Sequence, residues 1–267
     1  MRRRKALNYS TARMRLAGAL LTLGALCVPA SASAPERVVS LNLCTDQTLV
    51  LLAPDKVAAL SPLARDPALS FVASEAERFP SVRPYAEPVL RLNPDLVLAG
   101  AFGAQAALAQ LERHGIPVLR VGLPTDFEGV RAETRRLAKA LGVPERGEAL
   151  IADMDARLAS IPRPSHSPRV LVWEPRGYTA GPGTLADAVL GAAGLRNASD
   201  GSRVGLETLV ANPPDLLIVP SPSAFPSLAT DLLRHPATAG IPRRELPPAL
   251  TICAGPFTAK AAALLAQ

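Results

Sequence analysis

The sequence predicts an α/β protein with two similar lobes, each built on a parallel sheet, and a helical segment between them. Three observations predict it. AEPVLRLNPDLVLAG at residues 86–100 returns, loosely, as LETLVANPPDLLIVP at residues 206–220. Each copy sets a glutamate before an apolar helical turn, Pro-Asp-Leu and a buried-strand run, and Glu87–Asp95 and Glu207–Asp215 share a spacing of eight. Short strand-like and helix-like runs alternate on both sides of the middle of the chain, the signature of a parallel α/β sheet. Residues 126–161 carry no strand signal at all.

The elements follow in order. RVVSL (37–41) is a short β-branched run that reads as a buried strand. NLCTDQ (42–47) reads as a polar loop leading into a helical run at 48–52. Pro54-Asp55 turns the chain into a second strand at 56–60, and 61–77 is loop-rich. One or two helical turns at 87–92 precede a third strand at 96–99. The Ala/Leu-rich run 104–114 is a helix closed by Gly115, and a fourth strand follows at 118–121. In the middle, Thr125 or Asp126 caps a helix to Leu141, Gly142 and Pro144 interrupt it, and a second helix covers 145–159. IPRPSHSP (161–168) is a Pro/Ser linker. Alternation then resumes with a strand at 169–173, a helix at 184–193 ended by Gly194, strands at 216–219 and 250–252, and a closing helix at 257–266.

The first residues are not read as fold. Six Lys/Arg within residues 1–15 precede an apolar run from Leu16 to Val28, and Pro29 and small residues follow. That run is shorter than the roughly 20 apolar residues of a spanning helix, and the three-part pattern is that of a cleaved secretory signal. Cleavage after Ala34 would leave Pro35 first, so cleavage after Ala32 is expected. Leu26 is too bulky for a lipid-attachment site at Cys27. The expected division is a signal at 1–32, an N-terminal lobe at 35–125, a connector at 126–161 and a C-terminal lobe at 168–267. The net charge of +6 belongs to the signal, because the rest holds 23 basic and 23 acidic residues. No basic patch remains to neutralise phosphates, so nucleic acid is not an expected partner.

Order and spacing together make the chain resemble the periplasmic substrate-binding proteins of ATP-driven importers for cobalamin, iron–siderophore and heme. The residues that carry the resemblance are RVVSL (37–41), NPDLVLAG (93–100), the turn from His114 to Val118, ALIADMDARL (149–158) and GLETLVANPPDLLIV (205–219). The resemblance implies two Rossmann-like lobes joined by one long, stiff connector helix, with a metal chelate held between them. It implies a monomer in the periplasm that needs no cofactor. It also implies that one surface glutamate on each lobe, here Glu87 and Glu207, docks against arginines of an ABC permease. The plainer reading is that each glutamate complements a helix dipole from its first turn, and both can hold.

In open α/β sheets ligands bind outside the carboxyl ends of the strands. That singles out Cys44, Thr45, Asp46, Gln47, Arg65, Phe102, Trp173, Arg176, Tyr178, Cys253 and Phe257 as candidate ligand contacts. Aromatic faces suit a flat macrocycle or a catecholate, and the arginines suit anionic groups. Trp173 and Phe257 could instead simply pack the lobe. Cys44 and Cys253 fit a disulfide, a pair of free cleft thiols or a direct chelate contact, and spacing alone does not choose among them. No CxxC or HxxxH supports zinc. A secreted enzyme or a free-ion carrier of the same fold is the competing class. His114, His166 and His235 argue against both, because each sits at a helix end, before a proline or in the linker.

Overall fold

A computed structural model describes residues 33–222 and 228–267. The expected signal segment lies outside the described residues. Four parallel strands, β1 (Val38–Ser40), β2 (Val57–Ala59), β3 (Leu96–Ala99) and β4 (Val118–Arg120), form a first sheet in the order β2-β1-β3-β4. Helices α1 (Leu43–Leu52), α2 (Ala73–Ala76), α3 (Ala86–Leu90) and α4 (Gln105–Arg113) alternate with them. Two longer helices, α5 (Phe127–Ala140) and α6 (Pro144–Ala159), lead to the second lobe. There β5 (Arg169–Val172), β6 (Arg196–Asn197), β7 (Leu216–Pro220) and β8 (Arg243–Leu246) form a second parallel sheet, in the order β6-β5-β7-β8. Helices α7 (Leu185–Ala192), α8 (Leu206–Ala211), α9 (Leu228–Asp231) and α10 (Ala259–Leu265) accompany it.

The two sheets share one topology and one register. Val38 pairs with Leu96 in the first, and Val170 with Leu216 in the second. The repeated Pro-Asp-Leu has a structural task in each. The Asp95 carboxylate accepts the backbone N–H groups of Glu36 (2.7 Å) and Arg37 (3.0 Å), and the Arg37 carbonyl accepts from Asp95 N–H at 3.0 Å. The Asp215 carboxylate accepts from Arg169 N–H at 2.7 Å, and the Arg169 carbonyl accepts from Asp215 N–H at 2.8 Å. Each aspartate thus clamps the start of the strand beside its own.

Strand side chains alternate between faces, and the cores follow that period. In the first lobe Val38, Leu96 and Leu98 pack with Leu49 and Leu52 of α1, while Val39, Val97 and Ala99 pack with Val89, Leu108 and Leu111. In the second, Val170, Val172 and Ile218 pack with Val189, Leu190 and Ala262, and Leu171, Trp173, Leu217 and Val219 with Leu209.

The helical middle joins both cores. Pro144 suits the first turn of α6, where its missing N–H costs nothing, and sixteen residues carry α6 over about 24 Å. Leu150 packs on the first lobe's core and Leu158 on the second's, so α6 is the connector helix. Helix α5 lies beside it in the opposite sense, with Phe127 on the second core and Leu137, Ala138 and Leu141 in the first. Arg131–Asp155 (2.6 Å) and Arg135–Glu148 (2.7 Å) lace the pair. Gly142 turns the chain between them at a φ of 72°, where a Cβ would also meet the Ala34 methyl at 2.4 Å.

Three local expectations need correction. NLCTDQ is not a loop: Asn42 caps α1 by accepting the Cys44 N–H at 2.9 Å, and the helix starts at Leu43. Residues 250–252 are not a strand: Leu250 ends a short 3-10 helix from Pro248, and a turn and bend follow. The strand is β8, whose exposed charges in RREL hide the alternation that marks a buried strand. The two-residue β6 also gave no signal.

Candidate functional site

At one place between the lobes the chain is sealed. Cys44 on α1 and Cys253 after β8 form a disulfide across 209 positions, with Cα atoms 5.2 Å apart. This resolves the three readings of the pair. Leu43, Cys253 and Phe257 form a buried cluster around it. Phe71 stacks on Phe257 with centroids 4.8 Å apart and planes 8° from parallel, and the Lys260 ammonium lies 4.4 Å from the Phe71 ring centroid. Gln47 holds this arrangement from beneath, because its carboxamide oxygen accepts the Phe71 N–H at 2.7 Å.

The polar residues at the start of α1 serve the first lobe. Thr45 and Ser40 hydroxyls meet at 2.6 Å, and the Thr45 hydroxyl donates to the Asn42 carbonyl at 2.8 Å. Asp46 is buried and accepts from the Ser61 N–H at 3.0 Å and the Ser61 hydroxyl at 2.5 Å. Burial pushes its carboxyl up to about 7, against the opposing pull of those hydrogen bonds. It ties α1 to the end of β2.

Trp173 is the largest fully buried side chain of the second lobe, and its indole N–H donates to the Val204 carbonyl at 3.0 Å. The alternation of β5 runs one residue past the strand and carries Trp173 into the core beside Leu171. It is buried in this structure, as are Thr45, Asp46, Gln47, Cys253 and Phe257, and the disulfide-bonded Cys44 is half-buried. The remaining candidates are exposed. Arg65 donates to the Phe79 carbonyl at 2.5 Å and closes its own loop. Phe102 is 77% exposed beyond β3. Arg176 adopts a left-handed backbone, φ 61°, and its carbonyl accepts from Arg203, whose guanidinium lies 5.0 Å from the centroid of the exposed Tyr178 ring.

A cleft of about 650 Å³ lies elsewhere along the same divide. The first lobe lends it Pro67, Ala68 and Leu69, from the loop between β2 and α2. The second lobe supplies the rest from the carboxyl ends of β5, β7 and β8: Glu174 and Pro175, 219–222, and Glu245, Pro247 and Pro248, with Leu233, Arg234 and Arg243. None of the eleven candidate contacts lines it. The carboxyl-end rule points to the same edge of the sheets as this cleft, whose polar lining includes Glu174, Ser221, Arg234, Arg243 and Glu245. Prolines mark this edge in the sequence: Pro220 closes β7 and Pro222 follows it, and Pro247 and Pro248 follow β8. Among the described residues no three His, Cys, Asp or Glu converge to hold a bare metal ion, and no helix is long and apolar enough to cross a membrane.

Glu87 and Glu207 occupy the same place in their lobes, the second position of α3 and of α8. Both are exposed, and Glu87 pairs with Arg91 one turn on. Neither lines the cleft.

Known proteins share this architecture. The family model described as periplasmic binding protein matches residues 38–242. A cobalamin-binding protein of Halobacterium salinarum is 32% identical over 205 residues, which are 70% of this chain and 54% of the relative. The chain therefore spans about half the length of the curated relatives it matches. Among solved structures, a periplasmic heme-binding protein from Pseudomonas aeruginosa superposes with a TM-score of 0.70 at 27% identity, over 87% of this chain and 91% of that one. The apo heme-binding protein RhuT from Roseiflexus sp. RS-1 gives 0.69 at 26%, over 86% and 98%.

Proposed function

The chain belongs to the periplasmic binding protein family, and on that premise we propose that it carries a metal chelate through the periplasm to the permease of an ATP-driven importer. The single observation that supports this most is the cleft of about 650 Å³ between two lobes, lined from strand carboxyl ends. Its volume suits a chelate-sized molecule, since ligand pockets run from roughly 300 to 1,000 Å³. Cobalamin, a ferric siderophore and heme are the chelates in question, and the similar proteins named above bind the first and the last. A carrier of this kind works by binding and release, with no catalytic turnover. Thermal shift of the purified protein with cyanocobalamin, ferrichrome and hemin tests it. A ligand at 100 times its dissociation constant adds about 2.7 kcal/mol of stability, and a protein that none of the three stabilises is not this carrier.

Glu87 and Glu207 are the proposed contacts to the permease. The support is their equivalence: one exposed carboxylate at the same helix position in each lobe, away from the cleft. Glu87→Arg and Glu207→Arg should each weaken binding to permease in nanodiscs, most at low salt where exposed charges are least screened, with chelate affinity unchanged. Two reversals that leave permease affinity intact would reduce both residues to complements of their helix dipoles.

A further inference from the structure

A second cavity, of about 320 Å³, opens beside the cleft and lies wholly within the second lobe. Its walls are apolar, with Val172, Val189, Leu190, Ile218 and Leu246 among them. Glu174, Val219, Pro220 and Pro248 border both cavities, so the two share a mouth. Glu174 is the one ionisable residue of that mouth.

Its backbone is held in place. The Glu174 N–H donates to the Tyr178 carbonyl at 2.8 Å, the Glu174 carbonyl accepts from Gly177 N–H at 3.0 Å, and the preceding Trp173 is anchored in the core. Its carboxylate, in contrast, has no hydrogen-bond or ion-pair partner among the described residues. The side chain is exposed to solvent, and partial desolvation by the walls around it raises its carboxyl above the ordinary value. Water satisfies such a carboxylate in the empty cleft, and a ligand that shuts the water out leaves it at a cost unless it supplies partners of its own. A bound molecule that brings hydrogen-bond donors to it relieves that cost, and one that brings a second carboxylate adds to it.

The other charges of the cleft point the same way. Glu245 adds a second carboxylate with no partner among the described residues. Arg243 is committed to the protein, donating to the Leu233 carbonyl at 2.6 Å and to the Thr238 hydroxyl. Arg234 is exposed and is the guanidinium left for the ligand.

We propose that Glu174 selects the ligand: its carboxylate accepts N–H groups from amides on the periphery of the chelate, while an apolar arm of the same molecule enters the pocket behind it. The assignment rests on the chelate-carrier reading and narrows it, to chelates that present amides rather than free carboxylates at this mouth. Neither the family match nor the similar structures assign a role to this residue.

Calorimetric titration of the protein, and of Glu174→Gln and Ala186→Phe, with cyanocobalamin, ferrichrome and hemin tests the proposal. The first two probes are rich in amide N–H and lack free carboxylates, whereas hemin carries two. Ala186 lines only the second cavity, and phenylalanine there fills it. The expected result is that an amide-bearing probe binds best. Glu174→Gln should weaken that binding by about tenfold, the scale of a hydrogen bond to a charged group, and Ala186→Phe should weaken it too. Unchanged melting temperatures in the absence of probe will show that both variants are folded. Equal affinity of Glu174→Gln and the parent protein for a bound probe overturns the role of Glu174 and leaves the carrier reading standing. Preferential binding of hemin, tightened by Glu174→Gln, does the same. Binding of none of the three probes defeats the carrier reading, and this proposal with it.

Discussion

The two lobes share a sheet order, a register and an aspartate clamp, yet they contribute to the cleft very unequally. In the first lobe the polar residues at the strand ends turn inward: Thr45 meets Ser40, Asp46 meets Ser61, and Gln47 supports Phe71. In the second lobe the corresponding ends open outward and furnish most of the cleft wall, Glu174 and Glu245 included. The difference teaches that the repeat preserves the framework, while the lining of the proposed ligand cleft is concentrated in one copy. The first lobe acts mainly as a backing, fastened to the second through α6 and the Cys44–Cys253 bridge.

The largest test of that division is the fastening. A disulfide closing a loop of 209 positions removes much unfolded-state entropy. The chain-entropy model gives about 5 kcal/mol for a loop of this size. The Cys44→Ala/Cys253→Ala protein should lose several kcal/mol in denaturant unfolding. Its amide hydrogen exchange should rise around Phe71 and Phe257, and the two sheets should remain protected. Loss of protection through the first sheet alone would mean that the lobe depends on the bridge for its own fold, which would break the comparison.

Asp46 gives the next largest effect. Its folded-state pKa of about 7 lies above the ordinary carboxyl value of 3.8 that the unfolded chain approaches. The folded state therefore holds a proton that the unfolded state has released between those values. The stability from this group is complete below about pH 4 and is lost as pH rises through 7. At 1.36 kcal/mol per unit the loss is at most on the order of 4 kcal/mol. Asp46→Asn cannot ionise, so parent and variant should diverge with pH, the variant becoming the more stable by pH 8. Parallel stability curves from pH 4 to 8 would show that Asp46 titrates normally. A cleft role for Asp46 would then be open again, and the inward-facing picture of the first lobe weaker.

How much of this was legible in the sequence depended on the kind of signal. The repeat fixed two equivalent lobes because Pro-Asp-Leu with a following apolar run has one structural use, the clamp and the central strand. Helices α5 and α6 were legible from Asp126, Gly142 and Pro144, residues whose backbone chemistry marks ends. The cleft was not legible, because residue type does not say which way a side chain faces. Thr45, Asp46 and Gln47 read as contacts as long as residues 42–47 are a loop; the cap at Asn42 starts α1 there and turns them into the lobe. Trp173 read as a ligand platform until the period of β5 is followed one residue further. The walls combine prolines and aliphatic residues with Glu174, Arg234, Arg243 and Glu245, which read as ordinary turn and strand-end residues.

The smallest expected effect tests the framework half of the comparison. The clamps are alike in place but not in number of bonds. Asp95 accepts two backbone N–H groups, from Glu36 and Arg37, whereas Asp215 accepts one, from Arg169. All are near the surface, where water replaces part of what is lost. Each such bond is then worth about 1 kcal/mol. Asp95→Ala should cost roughly twice what Asp215→Ala costs, near 2 against 1 kcal/mol in urea unfolding, and neither should alter chelate binding, because both aspartates lie before their strands and away from the cleft. Losses in that ratio would show that the repeat is maintained for folding. A variant that keeps its stability and loses its ligand would show instead that the strand starts communicate with the cleft, and the separation of framework from chemistry would have to be given up.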